Sequence, residues 1–119
     1  MQIFDLCLAW NWEYDAGFVN LLENACGRQG CSFLQVKPSN LSSTIEALTT
    51  GEITFRSFFD RASDSNPSFL VLGELAIEHQ VFQINPNRKI SWTHDKTAVH
   101  LAFLESCIST PFTYLLPSF

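Results

Sequence analysis

The chain is poor in charged residues, and the charge it carries is not arranged for binding nucleic acid. Only 16% of its 119 residues are charged, against about 25% in an average globular domain. Twelve acidic and seven basic residues give a formal net charge of -5, and the basic residues are scattered along the chain. Because nucleic-acid binding depends on clustered basic side chains, the sequence argues against that class of function.

Long apolar runs and metal-binding cysteine motifs are also missing. No apolar run approaches the roughly 20 residues of a membrane span, and the first residues lack the basic start and the cleavage site of a secretory signal. The four cysteines, Cys7, Cys26, Cys31 and Cys107, form no C-x-x-C pair and have no histidine at zinc-ligand spacing. These absences predict a cytoplasmic protein with reduced, buried thiols, no metal site and no membrane association.

Apolar side chains are what the sequence has in abundance. Hydrophobic residues make up 46% of the chain and include eleven phenylalanines. A chain of this length and composition is expected to form one domain with a buried core. Its polar residues are too few to cover so small a domain, so we expect exposed apolar surface that a partner covers or that causes self-association.

Short apolar runs predict strands, and the segments between them have helical periodicity. The strands are expected at residues 3–10, 31–36, 81–84 and 113–116. A helix is expected from residue 15, with Asp15 as its N-cap and Gly27 as its end. Ser43 and Glu46 form a capping box for a short helix that Gly51 ends.

The segment after Gly51 fits two structures. Residues 53–55 could be a short strand, but the apolar residues from Phe55 to Ala62 fall on a helical stripe, which favours a helix from about Ser57.

Two more helices complete the predicted fold. The Asn66-Pro67 pair starts one that extends to about Gln80, with a strand at residues 69–72 as the alternative. Thr93 is expected to cap the other. The alternation of strands and helices predicts a three-layer α/β fold, an open, mostly parallel sheet of four to five strands with helices on both faces.

The loop after the first strand is the best candidate for a binding site, because such sheets bind ligands at the carboxyl ends of their strands. It holds Trp10, Trp12, Glu13 and Asp15, where a dinucleotide-binding fold would have glycines. Carboxylates at a helix start disfavour a phosphate and favour an amine or a metal. The alternative is that Asp15 only caps the helix and the tryptophans cover the sheet edge. Asn85 ends a later strand.

Five motifs, in their order and spacing, resemble the N-terminal region of ATP-grasp ligases. They are Leu8-Ala9-Trp10-Asn11-Trp12-Glu13-Tyr14-Asp15, Asp60-Arg61-Ala62-Ser63-Asp64, Ile84-Asn85, Ser91-Trp92-Thr93-His94-Asp95-Lys96 and Ile108-Ser109-Thr110-Pro111. In that superfamily a Rossmann-like pre-ATP-grasp domain ends with a helix opened by Asp-Lys and a Gly-Ile-x-Thr-Pro turn. Here Cys107 stands in place of the glycine. The chain is similar to bacterial members of unassigned substrate.

The resemblance implies a division of the chain and a function. Residues 1–108 would be the pre-ATP-grasp domain, and residues 109–119 would begin the connection into an ATP-grasp domain that is missing here. The parent protein would use ATP and Mg²⁺ to join a small-molecule carboxylate to an amine or thiol through an acylphosphate. This lobe alone would be inactive and hold no cofactor.

The resemblance also implies the roles of individual residues. Lys96 would contact an ATP phosphate. The substrate crevice would be lined by Trp10, Trp12, Glu13, Asp15 and Asn85. The alternative function is a non-catalytic protein-interaction module with an α/β fold, in which the same aromatic side chains form the binding surface.

Overall fold

The computed structural model describes residues 1–86, 93 and 95–116. The chain forms two compact units, Met1–Asn87 and Arg88–Phe119. Three residues of the resemblance motifs, Ser91, Trp92 and His94, lie outside the described residues.

The first unit is an α/β fold built on a parallel sheet. Its four strands are β1 (Gln2–Trp10), β2 (Phe33–Val36), β3 (Ile53–Arg61) and β4 (Phe82–Ile84), in the order β2-β1-β3-β4. The helices between them are α1 (Ala16–Gln29), α2 (Leu41–Thr50) and α3 (Leu70–Glu78). All neighbouring strands are parallel, so the predicted fold class is confirmed.

Helices cover both faces of the sheet. Phe58 lies on the face that forms the main core with the buried side chains of α2 and α3, including Leu48 and Leu72. The next residue, Phe59, points to the opposite face, where its ring meets Phe18 of α1 edge-on at a centroid distance of 6.1 Å. The first unit therefore has three layers, with α1 on one side of the sheet and α2 and α3 on the other.

β3 shows that the prediction of a helix from about Ser57 was wrong. Residues Ile53–Arg61 form a central strand that pairs with β1 on one side and β4 on the other. Phe55 and Phe58 are buried in the same core although they are three residues apart. The alternation of faces therefore changes phase between them, and a three-residue spacing of apolar side chains resembles a helical stripe.

α1 is longer than predicted. Gly30, with φ of 69°, ends the helix in the left-handed conformation, whereas Gly27 lies inside it. Asp15 occupies the predicted N-cap position, but its side chain makes no capping hydrogen bond.

The boundaries of α2 and α3 test the remaining predictions of where helices start and end in the first unit. Ser43 is not an N-cap, because α2 already begins at Leu41, and the Ser43 hydroxyl donates to the Asn40 carbonyl. Gly51 ends α2 as predicted. The Asn66 side chain accepts from the Ser68 N–H in the 3₁₀ turn that leads into α3, so the predicted start is confirmed and a strand at residues 69–72 is excluded.

The second unit contains α4 (Lys96–Glu105). Its N-cap is Asp95, which accepts from the backbone N–H groups of Thr97 at 2.9 Å and Ala98 at 3.3 Å, so the predicted cap at Thr93 was wrong. The predicted strand at residues 113–116 does not form. The Thr113 hydroxyl instead donates to the Pro111 carbonyl two residues back.

The four thiols differ in exposure. Cys7 and Cys26 are buried, whereas Cys31 and Cys107 are exposed, so the prediction of buried thiols is wrong for the second pair. All four are free. Burial raises the pKa of Cys7 and of Cys26, which keeps both as neutral thiols.

Candidate functional site

The strand order predicts a crevice at the carboxyl ends of β1 and β3. The chain passes from β1 to β2 on one side and then crosses to β3 on the other, so the direction of winding reverses between β1 and β3. In open parallel sheets ligands bind at this switch point, outside the carboxyl ends of the strands. β1 ends at Trp10 and β3 ends at Arg61, and the two residues are partners in the sheet register.

An ion pair between Asp15 and Arg61 crosses the switch point. The guanidinium donates from Nη2 to Oδ1 at 2.7 Å and from Nε to Oδ2 at 3.2 Å. The Asp15 side chain is 8% exposed and that of Arg61 is 36% exposed. Hydrogen bonding to Asp15 raises the pKa of Arg61. The pair joins the start of α1 to the end of β3.

One aromatic ring of α1 and one of β3 lie beside the Arg61 guanidinium. Its Cζ atom lies 4.9 Å from the ring centroid of Phe18 and 6.0 Å from that of Phe59. A cation over an aromatic face is stabilised by the negative face of the ring. Arg61 is therefore held in one orientation by a carboxylate and two rings.

Trp10 contacts the end of β2 and the residue that follows this strand. Its Nε1–H donates to Oε1 of Gln35 at 3.2 Å. The Lys37 ammonium lies 5.8 Å from the Trp10 ring centroid. Asn40 orders this loop, since its side chain accepts from the Lys37 N–H at 2.7 Å and donates to the Gln35 carbonyl at 2.9 Å. The tryptophan thus has a cation beside it at the carboxyl edge.

The loop after β3 is tied both to itself and to the loop after β1. Asp60 accepts from the backbone N–H groups of Ala62 at 2.9 Å and Ser63 at 3.0 Å, and also from the Ser63 hydroxyl. The Asn11 side chain donates to the Ser65 hydroxyl at 3.4 Å. These bonds fix two loops of the crevice relative to each other.

Trp12 and Tyr14 form the exposed part of the site. Their rings are 5.1 Å apart and tilted, and they are 57% and 74% exposed. Glu13 between them is also exposed. This group provides exposed apolar and acidic surface in the segment after β1.

The structure brings four of the predicted site residues together. Trp10 ends β1, and Trp12, Glu13 and Asp15 lie in the segment that follows it, although the Asp15 carboxylate is already occupied by Arg61. Asn85 follows β4, two strands from β1, and is exposed with φ of 51°. Their contact with a substrate stays a prediction.

Lys96 is the first residue of α4, in the second unit, and is exposed. Its ammonium can offset charge on a phosphate. The N–H groups of the first helical turn, which often bind phosphate, are partly taken by Asp95. Lys96 would therefore contribute to a nucleotide site through its side chain.

Sequence reasoning missed Arg61 and Lys37 as site residues. Arg61 was placed within a predicted helix, so its position at the end of a strand was hidden. Lys37 directly follows the second apolar run, and in a parallel sheet that position lies at the carboxyl edge. The strand before Lys37 was assigned correctly, so only Arg61 was hidden by a wrong assignment.

Neither a metal-binding cluster nor a membrane-spanning helix is present in the part of the chain that the structure describes. No cluster of three His, Cys, Asp or Glu side chains is placed to hold a metal ion there. Within the same residues, no helix has the length and apolar character needed to cross a membrane.

Comparison with known proteins gives no relative. No family model matches the chain, and neither a curated protein nor a solved structure matches it. The fold is therefore known from the structure itself, and the relationship to ATP-grasp ligases stays a prediction from the motif resemblance.

Proposed function

We propose that the first unit is the substrate-side lobe of an ATP-dependent ligase that activates a small-molecule carboxylate. The observation that carries this proposal is the switch point between β1 and β3, where Trp10 and Arg61 end the two strands as register partners. Ligands of parallel α/β sheets bind at such a point. The motif resemblance to the pre-ATP-grasp domain gives the reaction class.

The charges of the crevice favour an anionic group next to Trp10. Arg61 is neutralised by Asp15. The Lys37 ammonium lies over the Trp10 ring and makes no ion pair with any described residue. A substrate carboxylate can therefore pair with Lys37 while an apolar part of the substrate packs against the indole.

The remaining parts of the proposal follow the resemblance. Lys96 contacts an ATP phosphate, and the domain that binds ATP and Mg²⁺ follows this lobe in the parent protein. The lobe alone is inactive, and the protein is cytoplasmic. Trp12, Glu13 and Asn85 form the outer wall of the substrate site.

The first experiment measures ATP binding to the protein as the cell makes it. Isothermal titration with ATP and Mg²⁺ should detect binding, and Lys96→Ala should weaken it about tenfold, by roughly the 1.4 kcal/mol that one lost charge contact represents. Arg28→Met, which removes a cation from the last turn of α1, is the control and should leave the affinity unchanged. Absence of ATP binding would reject the ligase function.

The second experiment tests the crevice directly. Intrinsic tryptophan fluorescence should change when short-chain carboxylates, amino acids or dipeptides bind beside Trp10. Lys37→Met should weaken that binding about tenfold, whereas Arg28→Met should not. Equal affinities of the two variants would remove Lys37 from the site without deciding the reaction class.

The exposed aromatic rings favour a second candidate, a protein-interaction module. Trp12 and Tyr14 are mostly exposed although they are large and apolar, and such surface often marks binding sites. In that case Trp12→Ala combined with Tyr14→Ala should abolish capture of a partner, and neither ATP nor carboxylates should bind. Binding of ATP by the native protein would favour the ligase instead.

A further inference from the structure

The end of α1 brings two cysteines together in a Schellman motif. Gly30 adopts the left-handed conformation, its N–H bonds to the Gly27 carbonyl at 3.3 Å, and the Cys31 N–H bonds to the Cys26 carbonyl at 2.9 Å. In this motif the side chains of the two residues joined by the bond that spans more of the sequence commonly touch. Here those residues are Cys26 and Cys31.

The backbone geometry fits a disulfide between them. The hydrogen bond between the Cys31 N–H and the Cys26 carbonyl, at 2.9 Å, holds the two Cα atoms within about 7 Å, because the remaining distances are fixed by covalent geometry. Disulfides span Cα atoms about 4.4 to 6.8 Å apart. The bridge therefore needs no unfolding of the helix end.

The two thiols differ in the way that a reactive pair requires. Cys31 is exposed, with its Sγ 4.0 Å from the Gln29 carbonyl oxygen. Cys26 is only 8% exposed. Burial, together with the neighbouring Cys31, Asp5 and Glu23, raises the pKa of Cys26. An oxidant therefore reaches Cys31 first, and Cys26 is the thiol placed to respond.

We propose that Cys26 and Cys31 form an oxidation site that a peroxide converts into a disulfide. The Cys31 thiolate attacks one peroxide oxygen and becomes a sulfenic acid, while the O–O bond breaks and the released hydroxide or alkoxide takes up the proton that the Cys31 thiol had lost, leaving as water or an alcohol. The Cys26 sulfur then attacks the Cys31 sulfur, the S–O bond breaks, and a second water leaves with the Cys26 proton. Both thiols are oxidised and the peroxide is reduced.

The disulfide would join the end of α1 to the start of β2. Ser32, the next residue, donates from its N–H and its hydroxyl to Asp5 of β1, at 2.8 and 2.9 Å. The bridge thus stabilises the connection at the amino edge of the sheet. That edge is opposite the crevice, so this site does not depend on the ligase function.

The test uses the Cys107→Ser variant, which removes the other exposed thiol. After treatment with hydrogen peroxide, two of its three remaining thiols should be lost without dimer formation. Trypsin cleaves after Arg28 and should leave two peptides joined until reduction, and cleavage after Glu23 distinguishes Cys26 from Cys7 as the partner. The melting temperature should rise by several degrees on oxidation and return on reduction.

Single cysteine variants are the controls. With Cys26→Ala, Cys31 should accumulate as a sulfenic acid that dimedone traps, and with Cys31→Ser, Cys26 should stay reduced. Far-ultraviolet circular dichroism checks that both variants fold. The proposal is overturned if Cys31 proceeds to the sulfinic acid while Cys26 is present, if Cys31 forms only intermolecular disulfides, or if Cys26→Ala leaves the oxidation products unchanged.

Discussion

Asp15 and Arg61 hold each other through two hydrogen bonds, and the pair spans the switch point of the sheet. Asp15 is almost completely buried, so a change at either residue leaves a polar or charged group without its partner. Such a loss costs more than the net gain from forming the pair. The pair should therefore contribute to stability as well as to the shape of the crevice.

Asp15→Asn is expected to lower the free energy of unfolding by about 1 to 3 kcal/mol, measured by urea denaturation. Glu13→Gln, an exposed carboxyl in the same turn, is the matched control and should change stability by less than about 0.5 kcal/mol. Arg61→Met should cost a similar amount to Asp15→Asn, and the double variant should cost less than their sum. Equal stability of Asp15→Asn and Glu13→Gln would contradict this role.

Asp5 should make stability depend on pH in the acid range. The backbone N–H of Ser32 and then its hydroxyl, with a smaller contribution from Arg56, lower the pKa of Asp5. A lowered folded-state pKa gives stability that is present above the unfolded value of about 3.9 and is lost as the pH falls below it.

Urea denaturation between pH 6 and pH 3 tests this expectation. The wild-type protein should be more stable than Asp5→Asn at pH 6, and the difference should shrink as the pH falls, since both proteins share all other carboxyls. Glu46→Gln, which removes an exposed carboxyl of α2, is the control for the loss of one negative charge. If the difference in stability between wild type and Asp5→Asn did not depend on pH, the charge of the Asp5 carboxylate would not stabilise the fold.

Among the helices, α1 offers two glycines with opposite requirements. Gly30 has φ of 69° and Gly27 lies within the helix, and a Cβ atom added at either position would meet no atom within 4 Å. Only backbone conformation therefore distinguishes them. Alanine is disfavoured in the left-handed region and favoured in a helix interior.

Gly30→Ala should lower the free energy of unfolding by about 1 kcal/mol, whereas Gly27→Ala should raise it by about 0.5 to 1 kcal/mol. Thermal denaturation of the two variants gives shifts of opposite sign. If Gly27→Ala were the destabilising change, the helix would end at Gly27, as the sequence had suggested.

Strands that are short apolar runs could be predicted from the sequence. β3 shows where that approach fails. β1 and β4 are bounded by polar or proline-containing segments, and both were identified with small boundary errors. In β3 the change of phase between Phe55 and Phe58 gives a spacing that belongs to a helix. The pairing of this strand with β1 and β4 overrides its local pattern.

The same limit applies to single residues of the site. Asp15 was correctly placed at the start of α1, because Asp is a frequent N-cap residue. Its actual partner, Arg61, lies 46 positions away in the sequence. A contact between residues so far apart in the sequence depends on the order of the strands in the sheet, which local sequence patterns do not predict. The loop of the crevice was therefore predictable, and its ion pair was not.

For the whole molecule, the sheet order explains why the crevice forms where it does. β2-β1-β3-β4 places the first strand in the interior, so the loops after β1 and β3 diverge at its carboxyl end. The residues that hold the crevice, Asp15, Arg61, Trp10 and Gln35, come from three different strands or their following loops. A site assembled in this way depends on the packing of the complete first unit.

The prediction that the chain self-associates can be tested on the exposed apolar side chains of the second unit. Its exposed apolar side chains include Phe103, Phe112 and Leu116, of which the last two are 86% and 80% exposed. Burying one such side chain is worth about 1.5 to 3 kcal/mol. Association that covers several of them should therefore be detectable in sedimentation velocity as a sedimentation coefficient that rises with protein concentration.

Phe112→Ser and Leu116→Ser should each weaken this association about tenfold, since each removes a contact of at least 1.4 kcal/mol. Leu21→Ser is the control, because Leu21 is 70% exposed as well but lies on α1 in the first unit. Equal effects of all three changes would indicate nonspecific apolar adhesion. A chain that stays strictly monomeric at high concentration would show that its apolar surface, despite the low charge of the sequence, is not sufficient for self-association.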